Sequence, residues 1–133
     1  MADSIHEGGC LCGAVRYRTT GAPNDVNVCF CTQCQRQTGS PLPAFANFNR
    51  DQVEMVQGEV GGYRASDFGT RQFCPHCGSV MFWIRDGSDR MSIHLGTFDD
   101  PSDFPSPAYE IWTVHRVKWL DNLPGAKSYP GDN

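Results

Sequence analysis

Hydrophobic and polar residues alternate in short runs along most of this chain. In the run 14–19 (AVRYRT), Val15 and Tyr17 fall on one face, and Arg16 and Arg18 fall on the other. Such a two-residue period is typical of a strand with one buried face. Further runs rich in β-branched and aromatic residues predict strands at 26–30, 45–48, 53–56, 71–73, 80–84, 91–95 and 109–114. The pattern predicts a mainly β protein built from several small antiparallel sheets.

The segments between these runs predict turns and loops rather than long helices. No window keeps a helical period for more than about two turns, although a short helix or turn is predicted after Cys31. The segment 99–107 (DDPSDFPSP) contains three prolines and three aspartates, which predicts an exposed loop. The length and the absence of a linker predict one domain over residues 1–133, with a core at about 5–124 and a frayed tail at 125–133.

Composition and charge exclude several classes of partner. The formal net charge is −4, and the 11 lysines and arginines are scattered, so no basic surface for nucleic acid or an anionic membrane is expected. No apolar run approaches the roughly 20 residues that a membrane-spanning helix needs. The first nine residues, MADSIHEGG, are too polar and acidic for a signal or transit peptide. We therefore expect a cytoplasmic protein, and the oligomeric state stays open, a homodimer included.

Seven cysteines are the chemically informative residues. Their odd number and the absence of a secretory signal argue against a disulfide scaffold and favour thiolate–metal chemistry. They form a first cluster of the form C-x-C-G, a middle cluster C-x-C-x-x-C and a third cluster C-P-x-C-G. The members are Cys10 and Cys12 in the first cluster, Cys29, Cys31 and Cys34 in the middle cluster, and Cys74 and Cys77 in the third.

The spacing of these clusters permits two ways of binding zinc. In one, Cys31 and Cys34 join the third cluster as a pair of C-x-x-C units. In the other, the first and third clusters join, and the middle cluster remains a separate three-thiolate site. We favour the second because both outer clusters end in glycine, which permits a tight turn around a metal, and because no thiol is left unused. It predicts one saturated zinc and one with a position for water or substrate, unless a distant Asp or a histidine such as His94 or His115 closes that site.

Several segments, taken in order, resemble the glutathione-dependent formaldehyde-activating enzyme (GFA) family, also called the centromere-protein-V-type domain. They are GGCLCGAVRY (8–17), CFCTQCQRQTGS (29–40), the segment 58–63, RQFCPHCGSVMF (71–82), LGTFDDP (95–101) and IWTVHRVKWL (111–120). The resemblance covers nearly the whole chain and implies a fold of several β-sheets similar to the Mss4-like zinc-binding fold. It also implies two zinc ions, a structural one held by Cys10, Cys12, Cys74 and Cys77, and one with catalytic potential held by Cys29, Cys31 and Cys34.

The same resemblance implies an activity. The family's reaction joins glutathione and formaldehyde to S-hydroxymethylglutathione, formally a carbon–sulfur lyase working in reverse. The expected partners are therefore a small thiol such as glutathione and a small aldehyde. Two positions differ from many members of the family, because Phe30 and Glu110 stand where those members have histidine. The occupancy of the second zinc site is left open.

Four residues near the middle cluster are predicted to contact substrate. Arg36 can grip a carboxylate through two parallel hydrogen bonds, Thr38 and Ser40 can supply hydroxyls, and Phe30 can form a wall of the pocket. Arg71, just before the third cluster, is a second candidate for gripping a carboxylate, although a structural or solvated role is the favoured interpretation for it. Two alternatives to an enzyme are a non-catalytic zinc scaffold that binds a thiol or a partner protein, and a thiol redox sensor that uses the middle cluster.

Overall fold

Eleven short strands and one α-helix form the framework of residues 4–132, the part of the chain that this computed structural model describes. The strands are β1 (Ile5–Gly9), β2 (Arg16–Thr20), β3 (Asp25–Cys29), β4 (Ala44–Asn49), β5 (Val53–Gln57), β6 (Gly61–Ser66), β7 (Gly69–Phe73), β8 (Val80–Arg85), β9 (Arg90–His94), β10 (Tyr109–Ile111) and β11 (Lys127–Ser128). The helix α1 spans Thr32–Thr38, as the sequence predicted after Cys31. Short 3₁₀ helices span Arg50–Gln52, Leu95–Thr97, Pro101–Asp103 and Thr113–His115. Residues 1–3 and 133 of the predicted domain lie outside the described residues.

The strands form two sheets, and the predicted mainly β class is confirmed. A small antiparallel sheet has the order β1-β2-β5, and a large sheet has the order β11-β10-β3-β4-β9-β8-β7-β6. The large sheet differs from the expected small antiparallel ones because β10 runs parallel to both β3 and β11. A parallel pair needs a long connection, and residues 112–126 supply it between β10 and β11. No helix within residues 4–132 is long and apolar enough to cross a membrane.

The main core lies where the small sheet packs on the large one. Val15 and Tyr17, which the alternation placed on one face, are each 1% exposed. The Tyr17 ring packs edge-on against Phe82 and Phe98, with centroid distances of 5.2 and 5.3 Å. Its hydroxyl is also hydrogen-bonded to Thr97 at 2.7 Å. Burial of these apolar side chains therefore joins β2 to the face of the large sheet.

The tail from residue 125 is not frayed, which corrects the sequence prediction. Its strand β11 pairs with β10, and the Trp112 amide donates a hydrogen bond to the Gly131 carbonyl at 3.0 Å. The short strand β10 would otherwise leave unpaired backbone groups at the edge of the sheet, and the tail satisfies them. Residue 133 of that predicted tail lies outside the described residues.

Besides β11 in the tail, two strands were not predicted, because glycines hide their pattern. β1 (IHEGG) and β6 (GGYRAS) each contain a pair of glycines, which weakens any strand signal. In β1 the glycine has a packing reason, since a side chain at Gly8 would collide with the Tyr17 hydroxyl and the Thr97 carbonyl.

Candidate metal centres

The first candidate centre joins two turns that are far apart in sequence. Cys10 and Cys12 lie between β1 and β2, and Cys74 and Cys77 lie between β7 and β8. Their four sulfur atoms all lie within 4.8 Å of one another. The Cys10–Cys12 and Cys12–Cys74 sulfur separations are 3.7 and 3.8 Å. Four thiolates placed tetrahedrally at about 2.3 Å from a zinc ion would be separated by about 3.8 Å, so this site fits such an ion.

The glycine that ends each turn permits the backbone to wrap around this centre. Gly13 and Gly78 have φ angles of +84° and +80°, in the left-handed region that favours glycine. The turns also direct amides at sulfur, since the Val15 amide lies 3.2 Å from Cys10 Sγ and the Cys77 amide lies 3.4 Å from Cys74 Sγ. These hydrogen bonds favour thiolates, which is the state that binds metal.

The second candidate centre is built from one continuous segment. Cys29 ends β3, Cys31 is the N-cap of α1, and Cys34 lies in the first turn of the helix. Their sulfur atoms lie within 4.8 Å of one another, and no His, Asp or Glu of residues 4–132 joins the group. The Cys31 sulfur caps the helix by accepting a hydrogen bond from the Cys34 amide at 3.3 Å. The division into four and three thiols agrees with the arrangement that the spacing favoured.

Three sulfurs this close compete for protons. Hydrogen bonds from Cys29, and then from Cys34, lower the pKa of the Cys31 thiol. The same contact with Cys31 raises the pKa of Cys29, and the hydrogen bond with Cys34 raises it further. Repulsion therefore opposes full ionisation of the group, and a divalent cation would relieve that repulsion. The donor set suits a thiophilic ion such as zinc.

A cleft of about 540 Å³ opens beside the second centre. All three of its cysteines line the cleft, whereas none of the four cysteines of the first centre does. The floor is the face of the large sheet, where Asn47 donates hydrogen bonds to Asp25 and Asn27 at 2.6 and 2.8 Å and accepts one from Ser92 at 2.6 Å. Phe45, Trp83, Ile111 and Trp112 supply apolar walls.

Three arginines line this cleft in a chain of net negative charge. Arg90 is paired with Asp25 at 3.2 Å. Arg85 lies 4.6 Å from the centre of the Phe68 ring, and no described carboxylate lies within ion-pair distance of it. The cleft therefore carries a cationic group that can receive an anion.

Arg71, which the sequence offered as a second candidate for gripping a carboxylate, contacts a sulfur of the second centre instead. Both terminal nitrogens of its guanidinium lie 3.6 Å from Cys34 Sγ. They also donate to the Gln37 and Gln33 side chains of α1 at 3.1 and 3.3 Å. The signal that could have identified it is the alternation in β7, which puts Arg71 on the same face as the buried Gly69.

The residues predicted to contact substrate do not line the cleft. Arg36 is exposed on the outer face of α1, because two residues after Cys34 correspond to about half a helical turn. Thr38 donates to the Cys34 carbonyl at 2.7 Å and accepts from the Ser40 amide at 3.0 Å, so these two residues end the helix. Phe30 is fully buried in the protein interior.

Phe30 and Glu110, the two positions singled out in the sequence, lie against the same arginine. The guanidinium of Arg116 lies 5.4 Å from the Phe30 ring centre and donates to Glu110 at 2.8 Å. Glu110 is fully buried and also accepts from Ser128 in the tail at 2.6 Å. Glu110 therefore links Arg116 and the tail to β10, and neither Phe30 nor Glu110 lines the cleft.

The two histidines that the sequence offered as further zinc ligands differ in their relation to the cleft. His94 is 6% exposed and packs on Phe45, with a centroid distance of 4.4 Å. Burial, and next the charge of Arg71, lower its pKa to about 4, so it is neutral at pH 7. His115 lines the cleft and stacks on Trp112. Neither histidine joins the sulfur group of the second centre.

Comparison with known proteins identifies the family. A family model described as glutathione-dependent formaldehyde-activating enzyme (GFA) matches residues 5–115, which is most of the chain. This chain belongs to the GFA family. A Halomonas elongata protein named "Putative glutathione-dependent formaldehyde-activating enzyme" is 31% identical over 128 residues, covering 86% of this chain and 79% of its own length.

Two further relatives extend the comparison. A Schizosaccharomyces pombe protein named as an uncharacterized lyase is 31% identical over 78 residues, covering 59% of this chain, and the match spans 56% of that protein's length. The crystal structure of a Rhodobacter sphaeroides protein has a similar fold, with a TM-score of 0.58 at 18% identity, covering 92% of this chain and 98% of the other.

Proposed function

We propose that this GFA-family chain is a zinc-dependent carbon–sulfur lyase that acts on adducts of glutathione, or another small thiol, with formaldehyde or a small aldehyde. In the cleavage direction the carbon–sulfur bond of the hydroxymethyl adduct breaks, the hydroxyl loses its proton and becomes the aldehyde carbonyl, and the departing sulfur takes up a proton. The reverse direction joins the thiol and the aldehyde.

The observation that carries this proposal is the asymmetry between the two centres. The four-thiol centre has a complete ligand set, whereas the three-thiol centre lies in the wall of a cleft. Structural zinc sites are closed by four protein ligands, and catalytic ones keep one position for water or substrate. When bound to Cys29, Cys31 and Cys34, zinc would supply a Lewis acid that favours the ionised form of a thiol.

The cleft supplies groups that can bind a tripeptide thiol. Its volume of about 540 Å³ lies within the range of small-molecule sites, roughly 300–1,000 Å³. Arg85 would pair with a carboxylate of glutathione through two parallel hydrogen bonds. The Asn27 side-chain amide on the floor would face its peptide groups, and His115 offers an imidazole for moving the hydroxyl proton.

The test is to incubate the zinc-loaded protein with glutathione and formaldehyde and to follow adduct exchange by NMR. We expect exchange faster than the uncatalysed reaction, and loss of the enhancement in Cys31→Ser. Arg36→Ala serves as the matched control, because Arg36 is exposed outside the cleft, and it should retain the wild-type rate. A wild-type rate equal to that of the protein-free mixture would exclude this pair of substrates.

The two alternative functions give different results in a metal and thiol count. Two zinc ions per chain that resist exchange with added thiol would favour a non-catalytic scaffold, whereas a second zinc that exchanges with thiol favours the enzyme. A redox sensor is a third option, since the three sulfurs of the second centre are close together. Reversible zinc loss on mild peroxide treatment would support that role, and indifference to peroxide would exclude it.

A further inference from the structure

Arg71 is a buried cation without a carboxylate partner in the described part of the chain. Its side chain is 6% exposed, and none of the ion pairs within residues 4–132 includes it. Its Nε is also buried with no hydrogen-bond partner there. A buried guanidinium is costly unless an anion lies beside it. Both terminal nitrogens of Arg71 contact the Cys34 sulfur at 3.6 Å. This sulfur is the nearest group that can become an anion.

The charges around the second centre balance when a divalent ion is bound. Three thiolates and one dication leave one excess negative charge, and Arg71 cancels it. When the fourth ligand is also a thiolate, the site including Arg71 carries a net charge of −1. The same site without Arg71 would carry a net charge of −2. His94 does not alter this balance, because it is buried and neutral at pH 7.

We propose that Arg71 is a positioning residue that orients Cys34 and offsets the charge of the thiolate cluster, so that the second centre accepts an anionic thiol from the cleft. This inference rests on the proposed function in placing a divalent ion and a thiol at that centre, but it does not depend on the aldehyde chemistry. It assigns Arg71 to the sulfur end of the substrate, whereas Arg85 is assigned to a carboxylate.

A purely structural role for Arg71 makes a different prediction. Its contacts with Gln33 and Gln37 dock α1 on β7, and loss of that docking would weaken the second centre toward every added ligand. Charge compensation instead acts on anionic ligands and spares neutral ones. The ratio of thiol affinity to imidazole affinity therefore separates the two roles.

The experiment uses protein loaded with Co²⁺, whose sulfur-to-metal absorption reports ligands at the centre. We would titrate 2-mercaptoethanol, a thiol without a carboxylate, and separately imidazole, into wild type, Arg71→Met, Arg71→Lys and Arg36→Met. Arg71→Met should weaken thiol binding by about tenfold or more, the scale of one nearby charge, and change imidazole binding by less than about threefold. Arg71→Lys should recover most of the thiol affinity.

Arg36→Met is the matched control, because it removes a positive charge from the same helix without contact to the cluster, and it should leave thiol affinity within about twofold of wild type. An equal loss of thiol and imidazole binding in Arg71→Met, or unchanged thiol binding, would overturn the proposal. If Arg71→Met does not fold, Arg71→Gln is the second neutral variant. This titration contains no formaldehyde, so it does not depend on the aldehyde chemistry. A protein that binds thiol as expected but lacks lyase activity would refute the proposed function and leave this inference intact.

Discussion

The two cysteine centres use similar spacings and differ in what surrounds them. The four-thiol centre joins the β1–β2 turn to the β7–β8 turn, so its ligands come from both sheets. The three-thiol centre comes from one segment at the end of β3 and the start of α1, and its sulfurs line the cleft. A metal at the first would cross-link distant parts of the chain, whereas a metal at the second would link residues that are already neighbours.

This difference indicates that the contribution of a metal site to stability depends on the length of the loop that its ligands close. Cys10 and Cys12 are brought to Cys74 and Cys77 across more than 60 residues, as the Cys12–Cys74 contact shows. Closing so long a loop restricts the unfolded chain far more than closing the short loop from Cys29 to Cys34. Stability should therefore depend on the first centre, and chemistry on the second.

The largest expected effect comes from exchanging one ligand in each centre. Cys74→Ser should prevent stable folding, because structural zinc contributes on the order of 10 kcal/mol, as much as the whole stability of a typical domain. Cys31→Ser should fold and bind one zinc ion instead of two. Circular dichroism and a metal count per chain measure both outcomes. If Cys31→Ser unfolds the chain as badly as Cys74→Ser, the division of roles between the centres is wrong.

Removal of metal by a chelator should distinguish the two centres by how fast each loses its ion. A chelator such as EDTA should remove one zinc ion per chain quickly, because the second centre faces the cleft and has three protein ligands. Lyase activity should be lost in this first phase, while the circular dichroism of the sheets should persist until the second ion leaves. Loss of both ions in one step, together with unfolding, would show that the centres are not independent.

A smaller effect concerns stability in acid. It involves the buried His94, which packs on Phe45 beside the second centre. Its folded pKa is about 4, lowered first by burial, while the ordinary value is 6.5. As pH falls, the unfolded chain therefore takes up this proton first, so stability that is complete above about pH 6.5 is lost progressively toward pH 4. The loss attributable to His94 is about 3 kcal/mol.

Denaturation of wild type and His94→Gln at several pH values tests this expectation. The comparison is made over the range in which both proteins retain their metal, since acid also protonates thiols. The variant should lose less stability between pH 6.5 and 4 than wild type does. Equal losses in the two proteins would mean that the burial of His94 has no thermodynamic consequence.

The smallest expected effect separates two arginines near the second centre. Arg85→Met should raise the KM for glutathione about tenfold, the scale of a lost charge-assisted hydrogen bond, and should leave binding of 2-mercaptoethanol unchanged. Arg36→Met, outside the cleft, should change neither value by more than about twofold. Steady-state kinetics with glutathione provide the measurement. A rise in KM for Arg36→Met that matches Arg85→Met would place the substrate on the outer face of α1.

Much of the fold was predictable, because alternation reports which face of a strand is buried. Val15 and Tyr17 are the clearest example, since their alternation with two arginines identified the core face of β2. The substrate contacts were not predictable in the same way. Arg36 follows the second centre closely in sequence, but the helical period turns it outward. Arg71 is distant in sequence, and only the packing of α1 on β7 brings it to Cys34.

Local spacing in the sequence determined which cysteines could act together within each turn, because covalent geometry limits how far residues two or three positions apart can separate. The tertiary structure decided which turns meet, which sulfurs line a cleft, and which arginine lies against them. It also decided that the tail pairs with β10. These features depend on which strands become neighbours, and that outcome follows from burial of apolar area over the whole chain rather than from any single segment.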